Sequence, residues 1–269
     1  MPLPDLQPFS PDELEEIALP GTPLELVVAQ VRFPLLARAA KMEAVADFQE
    51  ALGREFPLLE EEKELGITLT SEGVKPLEQT STVWRLYDRD RRWRLSLAPT
   101  FLALDTTKYD SRTAFLERLG RVLDAFASCF EPSSRSRVGV RYVNRLALRS
   151  PDELHSLVRR EVLGVAAAPQ VKESGALRLG LSEALFRLGD ESLRIRAALL
   201  PARTVVPALQ LPPMEELSWA LDLDMFRDDQ DDFSSEQIHE LCLRCSKQIY
   251  RFFRWTVTDE FLRRCGGRV

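Results

Sequence analysis

Apolar and polar positions alternate most regularly between Ser136 and Arg149. In an extended chain Val138, Val140, Tyr142, Asn144 and Leu146 fall on one side, and Arg137, Gly139, Arg141, Val143 and Arg145 on the other. One side reads as core; the other carries three guanidinium groups. The same period of two recurs from Trp93 to Asp105, where Trp93, Leu95 and Leu97 alternate with Arg92, Arg94 and Ser96. It returns from Ser192 to Leu200, with Leu193 and Ile195 against Arg194 and Arg196. From Ser218 to Phe226 it sets Trp219, Leu221, Leu223 and Met225 against Ala220, Asp222 and Asp224. Thr80–Tyr87 and Trp93–Asp105 read as a hairpin around Asp88-Arg89-Asp90-Arg91, and Ala176–Leu188 with Ser192–Leu200 as a second around Gly189-Asp190-Glu191. The Val-rich stretch from Leu24 to Phe33 predicts an earlier strand stopped by Pro34, and Leu65–Leu69 a short one.

Helical spacing takes over elsewhere. Phe115, Leu119, Val122, Leu123, Phe126 and Phe130 make one apolar stripe between Ser111 and Phe130. Leu36, Ala39, Ala40, Val45, Phe48, Leu52 and Phe56 make another from Leu35 to Phe56, closed by Pro57. Ser10-Pro11-Asp12-Glu13 and Ser150-Pro151-Asp152-Glu153 both carry the side chains of a capping box with Pro at the first helical position. They predict a short acidic helix to about Ile17 and a longer one to about Leu163. A long helix from Ser235 to Thr256 and a shorter one to Cys265 close the chain. Glu60-Glu61-Glu62 and Ala166–Gly175 read as loops, and Pro201, Pro207, Pro212 and Pro213 mark a long irregular connection that lies on the surface or acts as a hinge. The expected fold class is α+β: a large, mostly antiparallel sheet, flat or curved into a half-barrel, with helices packed on one face and a long C-terminal helix. Residues 1–269 are expected to form one domain, with a two-lobe split near residue 165 as the alternative if both lobes share the sheet.

Composition narrows the function classes. With 45% hydrophobic and 29% charged residues the chain has the makeup of an ordinary folded protein. Its net charge of −6 argues against broad nucleic-acid binding. Almost all of the 36 basic residues are Arg, which a GC-rich genome explains better than selection for anion recognition does. The start, Met-Pro-Leu-Pro-Asp-Leu, lacks a basic segment followed by an apolar one, and no apolar run reaches the roughly 20 residues of a membrane span. A cytoplasmic protein with no membrane association is therefore expected. Cys129, Cys242, Cys245 and Cys265 are few and unevenly placed, as reduced thiols are.

If the apolar face of each strand packs on helices, the opposite face gathers Arg92, Arg94, Arg137, Arg141, Arg145, Arg194 and Arg196, together with Asp222 and Asp224. Such a face could hold a phosphate or carboxylate through bidentate guanidinium contacts. The reading favoured over this is that Arg and Asp pair across strands on a solvated face, each pair contributing about 0.2–1 kcal/mol. A basic trough of this kind also suggests triphosphate hydrolysis, but that chemistry needs several metal-holding carboxylates on an early strand, and Glu25 stands alone there. His239, Cys242 and Cys245 lie on one helix, where steps of three rotate around the axis and converge poorly on a metal; the two cysteines fit the apolar stripe. Asp228–Asp232 lacks the glycine and terminal glutamate of a calcium loop. With only His155 and His239, and no phosphate-binding glycine loop, no catalytic residues, metal or cofactor are expected.

The run Arg137-Val-Gly139-Val-Arg141-Tyr142-Val-Asn144-Arg145 resembles the central strand of a sporadically distributed, uncharacterised bacterial family of about 260 residues. Arg32-Phe33-Pro34, Leu97-Ala98-Pro99-Thr100-Phe101-Leu102 and Leu221-Asp222-Leu223-Asp224-Met225-Phe226 are similar to it in the same order. The resemblance implies an accessory gene, in a mobile or defence-related cluster, and supplies no catalytic residues. Two functions are thus expected in order: a non-enzymatic binding or adaptor protein with a protein partner, and, as the alternative, a sensor or enzyme acting on an anionic small molecule such as a nucleotide at the arginine face.

Overall fold

A computed structural model describes residues 6–10, 14–70, 73–164 and 178–268. Nine strands form one open antiparallel sheet, so the α+β expectation holds and the sheet is not closed into a barrel. In chain order they are β1 (Leu24–Arg32), β2 (Leu58–Thr70), β3 (Gly73–Tyr87), β4 (Trp93–Ala98), β5 (Phe101–Thr106), β7 (Arg137–Ala147), β8 (Gly180–Leu188), β9 (Glu191–Leu200) and β10 (Ser218–Arg227). They lie side by side as β2-β3-β4-β5-β1-β7-β10-β9-β8. A separate two-residue pair joins β6 (Ser134–Arg135) to β11 (Asp231–Asp232). The helices are α1 (Met42–Ala51), α2 (Arg112–Phe130), α3 (Leu154–Leu157), α4 (Arg160–Leu163), α5 (Ser235–Thr256) and α6 (Asp259–Arg264).

The chain divides into two compact units built from interleaved segments, whose boundaries cut through β1, β7, β10 and α5. One comprises Val28–Val140 and Arg227–Leu243. There α2 starts at Ser111, whose Oγ accepts from Ala114 N at 3.1 Å, and ends at Glu131 in the left-handed region, φ 46°. Its apolar stripe closes an aromatic core: Phe126 lies 5.1 Å from Phe33 and 5.1 Å from Phe130, and Phe48 of α1 meets Phe130 edge-on at 5.6 Å. Truncating Phe126 to Ala would cost about 3–5 kcal/mol. The other unit comprises Met1–Val27, Arg141–Phe226 and Arg244–Val269. Its core includes Trp219 of β10 packed edge-on against Phe261 of α6 at 6.1 Å. The N-terminal segment lies across α5, tied by Gln248 Nε2 donating to Pro8 O (3.0 Å) and Ile17 N donating to the Tyr250 hydroxyl (2.7 Å).

Several local expectations are corrected. Glu60, Glu61 and Glu62 belong to β2, where Glu62 meets Arg85 of β3 at 2.8 Å and Glu60 pairs with Arg91; the charges that suggest a loop stand on both faces of an edge strand. Trp93–Asp105 is two strands, turned at Pro99-Thr100. The helix expected from Leu35 to Phe56 is a 3-10 turn at Ala37–Ala40 followed by α1, and the turn is pinned by Trp84 Nε1 donating to Ala39 O at 3.0 Å. From Ser150 the chain forms a 3-10 turn and the one-turn helices α3 and α4, because Val158 turns extended (φ −136°, ψ 156°) and bridges to Val257. Leu14–Ile17 is not helical; Pro11, Asp12 and Glu13, like the loop expected at Ala166–Gly175, lie outside the described residues. Among the described residues no helix is long and apolar enough to cross a membrane.

Candidate functional site

Four strands of the second unit line up one charge per strand. The register sets Glu183 of β8 opposite Arg196 of β9, and Arg196 opposite Asp222 of β10; two residues along, Arg194 faces Asp224. Arg141 of β7 completes the row. Its Nε donates to Asp222 Oδ1 at 2.8 Å and its Nη2 to Oδ2 at 3.0 Å, a two-point contact on a carboxylate whose side chain is 1% exposed. Arg196 Nη1 donates to the same Oδ2 at 3.2 Å while its Nε reaches Glu183 at 2.9 Å. That hydrogen bond from Arg196 holds the Glu183 carboxyl below its ordinary value. Arg194 lies 3.4 Å from Glu183 and 3.9 Å from Asp224, with its guanidinium over the Phe226 ring.

This face is covered. Val143, Ala198, Leu200 and Ala220, in phase with the charged positions, form a small core with Leu209 and Leu211 from the proline-rich connection between β9 and β10. Arg141 holds the cover in place: Nη1 donates to Gln210 Oε1 (2.8 Å) and Nη2 to the carbonyls of Ala208 and Leu209 (3.0 Å each). Gln210 can present that amide because it adopts the left-handed region (φ 56°) just after the 3-10 turn Pro207–Leu209. Arg145 works the same way, donating from Nε to Ser218 Oγ at 3.0 Å and from Nη1 to Pro212 O. Burial pulls its guanidinium below the ordinary value, with Glu25 opposing. The connection expected to rest on the surface or act as a hinge is thus a strap over the arginine face.

The remaining arginines of the expected face belong to the first unit. Arg94 pairs with Asp105, directly opposite it on β5, at 2.9 Å. Burial pushes the Asp105 carboxyl up, and Arg94 pulls it back only in part. Arg137 meets Asp228 at 3.2 Å. Arg92 lies in the β3–β4 turn, outside any strand, with its side chain exposed. The acidic run after β10 acts as counter-charge: Asp229 and Asp231 both bind the buried Arg135. Burial would raise the Asp229 carboxyl, but Arg135 and Arg227 hold it below its usual range. Cys242 and Cys245 are buried on α5, where burial pushes the Cys242 thiol up to about 12. Among the described residues no group of three or more His, Cys, Asp or Glu could hold a metal ion.

Alternation thus names Arg141, Arg145, Arg194 and Arg196 with Asp222 and Asp224, while the partners Glu183, Asp105 and Asp228 are outside that reading. Two further features are outside it too. The strap has no periodicity to announce that it folds back, and the exposed edge strand β8 is distinguishable only once the strand order is known. Leu181 and Leu185 are 47% and 58% exposed there, and Leu179, just before the strand, 53%. Compared with known proteins, the chain matches no family model and no curated relative.

Proposed function

We propose that this chain is a cytoplasmic, non-enzymatic binding or adaptor protein that takes up an extended segment of a partner protein along β8. The observation that carries the reading is the contrast between the two ends of the sheet. β2 carries the consecutive charges Glu60, Glu61, Glu62 and Lys63, whereas β8, Gly-Leu-Ser-Glu-Ala-Leu-Phe-Arg-Leu, carries only Glu183 and Arg187, has neither Lys nor Pro, and exposes Leu181 and Leu185 on one face, either side of Glu183. An incoming strand would meet an edge strand that pairs on one side only among the described residues, and two apolar side chains on one face of it. The nucleotide-binding alternative draws less support, because Arg141, Arg145 and Arg196 already donate to carboxylates, a hydroxyl or strap carbonyls. An accessory, defence-related setting, implied by the family resemblance, is part of the same reading.

The test compares proteins co-purified from the native host by tagged wild type and by a Leu181→Asp, Leu185→Asp variant. A partner recovered near one-to-one by the wild type and lost by a folded variant is the expected result. Recovery of the same partner by both, or of none by either, overturns the reading.

A further inference from the structure

Beside the end of α5 the second unit holds a cleft of about 690 Å³ walled by Leu14, Ile17, Ala18 and Pro20 from the N-terminal segment and by Gly266 after α6, with Arg254 in its lining. That volume is in the range of about 300–1,000 Å³ usual for small-molecule sites. Arg254 is only 8% exposed, and its Nε is sealed from water with no hydrogen-bond partner among the described residues. One turn back on the same helix, Arg251 is 5% exposed and its Nη2 is likewise unpartnered. Closed to water, Arg254 Nε is closed to a ligand as well, so a ligand in the cleft would meet the terminal nitrogens of that side chain. A largely buried guanidinium is costly to leave unpaired, and native proteins nearly always satisfy it with a protein group, a water or a bound ion. Arg145 Nη2 and Arg194 Nε also make no hydrogen bond, but the Arg145 guanidinium binds the strap and Arg194 Nε lies 3.4 Å from Glu183 Oε1. Arg254 alone of the four lines this cleft.

We propose that the cleft binds a carboxylate carried on a short apolar body, with Arg254 as the residue that grips the carboxylate. The walls set the body: Leu14, Ile17, Ala18 and Pro20 offer aliphatic surface to a chain of a few carbons. The charge of the lining sets the head group. Arg254 and Arg268 are balanced by Glu15 and Glu16, so a singly charged carboxylate is accommodated where a doubly charged phosphate is repelled by the two glutamates. A planar guanidinium matches a carboxylate at two points. The ligand is either a free small acid or the C-terminal carboxylate of a peptide; both present this chemistry. The site is separate from β8 and does not depend on the proposed partner.

Thermal melts of the whole chain test it with hexanoate for the free acid and N-acetylleucine for a chain terminus. Hexanol, N-acetylleucinamide and inorganic phosphate serve as controls. At about ten times the dissociation constant a true ligand raises the melting temperature by about 3–5 °C. Stabilisation by hexanoate or N-acetylleucine, absent with both uncharged controls, weaker with phosphate and lost in Arg254→Gln, is the expected outcome; which acid is stronger assigns the source. Ala18→Trp fills the cleft from its exposed rim without touching Arg254, and should abolish the shift even if Arg254→Gln does not fold. No shift with either acid, equal shifts with the uncharged controls, or a shift that survives Ala18→Trp overturns the proposal.

Discussion

Arg141 and Arg254 are shielded guanidiniums of the same compact unit, 15% exposed in side chain and 8% exposed overall, and they differ in what the chain sets against them. Arg141 sits on a strand, where register places Asp222 within reach, and every branch of its guanidinium donates to a protein acceptor. Arg254 sits on a helix whose last turns are wrapped by the N-terminal segment, and its Nε finds none. A sheet fixes the neighbour of each side chain at about 5 Å across the ladder, so counter-charge can be built into the sequence. A helix covered by an irregular segment has no such rule. The first arginine is spent on the fold, while the second keeps a nitrogen without an acceptor among the described residues.

The sharpest way to break this contrast is at Asp222. Asp222→Ala strips the shared carboxylate from Arg141 and Arg196, leaving two shielded cations side by side. Removing one member of a buried ion pair costs about 3–5 kcal/mol, so the melting temperature should fall by about 10 °C. A melt within a degree or two of wild type would mean that solvent, and not Asp222, satisfies the arginines. Arg141→Gln should cost less, about 2 kcal/mol, since Arg196 still neutralises Asp222. Its distinctive effect is local. The strap around Pro207–Gln210 loses its hydrogen bonds to Arg141 Nη1 and Nη2, so its amides should exchange faster while those of β10 stay protected.

Period-two alternation makes the ladder legible in the sequence: it assigns Arg194, Arg196, Asp222 and Asp224 to one face, and register places them opposite one another. Alternation cannot show that Val143, Ala198 and Ala220, small apolar residues in phase with those charges, invite a cover. It therefore suggests an open trough where there is a strap. Arg92 leaves the predicted face because the strand begins one residue later, after a turn held by Asp88, whose Oδ1 accepts from Arg92 N at 2.7 Å. The break at Val158 has no local signal, since capping residues announce where a helix starts and say nothing of a bridge to Val257, distant in sequence. Arg251 and Arg254 are hidden by the opposite bias. On an amphipathic helix arginines read as the solvent face, and only tertiary packing buries them.

Arg254→Met should move stability in the other direction from Asp222→Ala. With no ligand present, replacing an unpaired buried cation by an apolar side chain of similar length is neutral or stabilising by about 1 kcal/mol, seen as an unchanged or higher urea midpoint. A loss of several kcal/mol would show that Arg254 has an internal partner and would erase the distinction from Arg141.

The smallest effect belongs to the outer end of the ladder. Glu183 is 47% exposed in side chain, so its pairing with Arg196 is screened by solvent, and Glu183→Gln should cost no more than about 0.5 kcal/mol at neutral pH. The sign of its pH dependence is fixed by the lowered carboxyl. The hydrogen bond from Arg196 stabilises the charged form in the folded chain, so the contribution is complete above the ordinary value of 4.5 and lost as pH falls below it through the lowered folded value. Urea midpoints of wild type and Glu183→Gln should therefore differ slightly at neutral pH and low salt, draw together in strong salt, and converge as acid protonates the carboxyl in the folded chain. A difference that persists in acid would mean that Glu183 acts through packing on β8. In that case the charged row would end at Arg196, with the edge strand contributing only its apolar side chains.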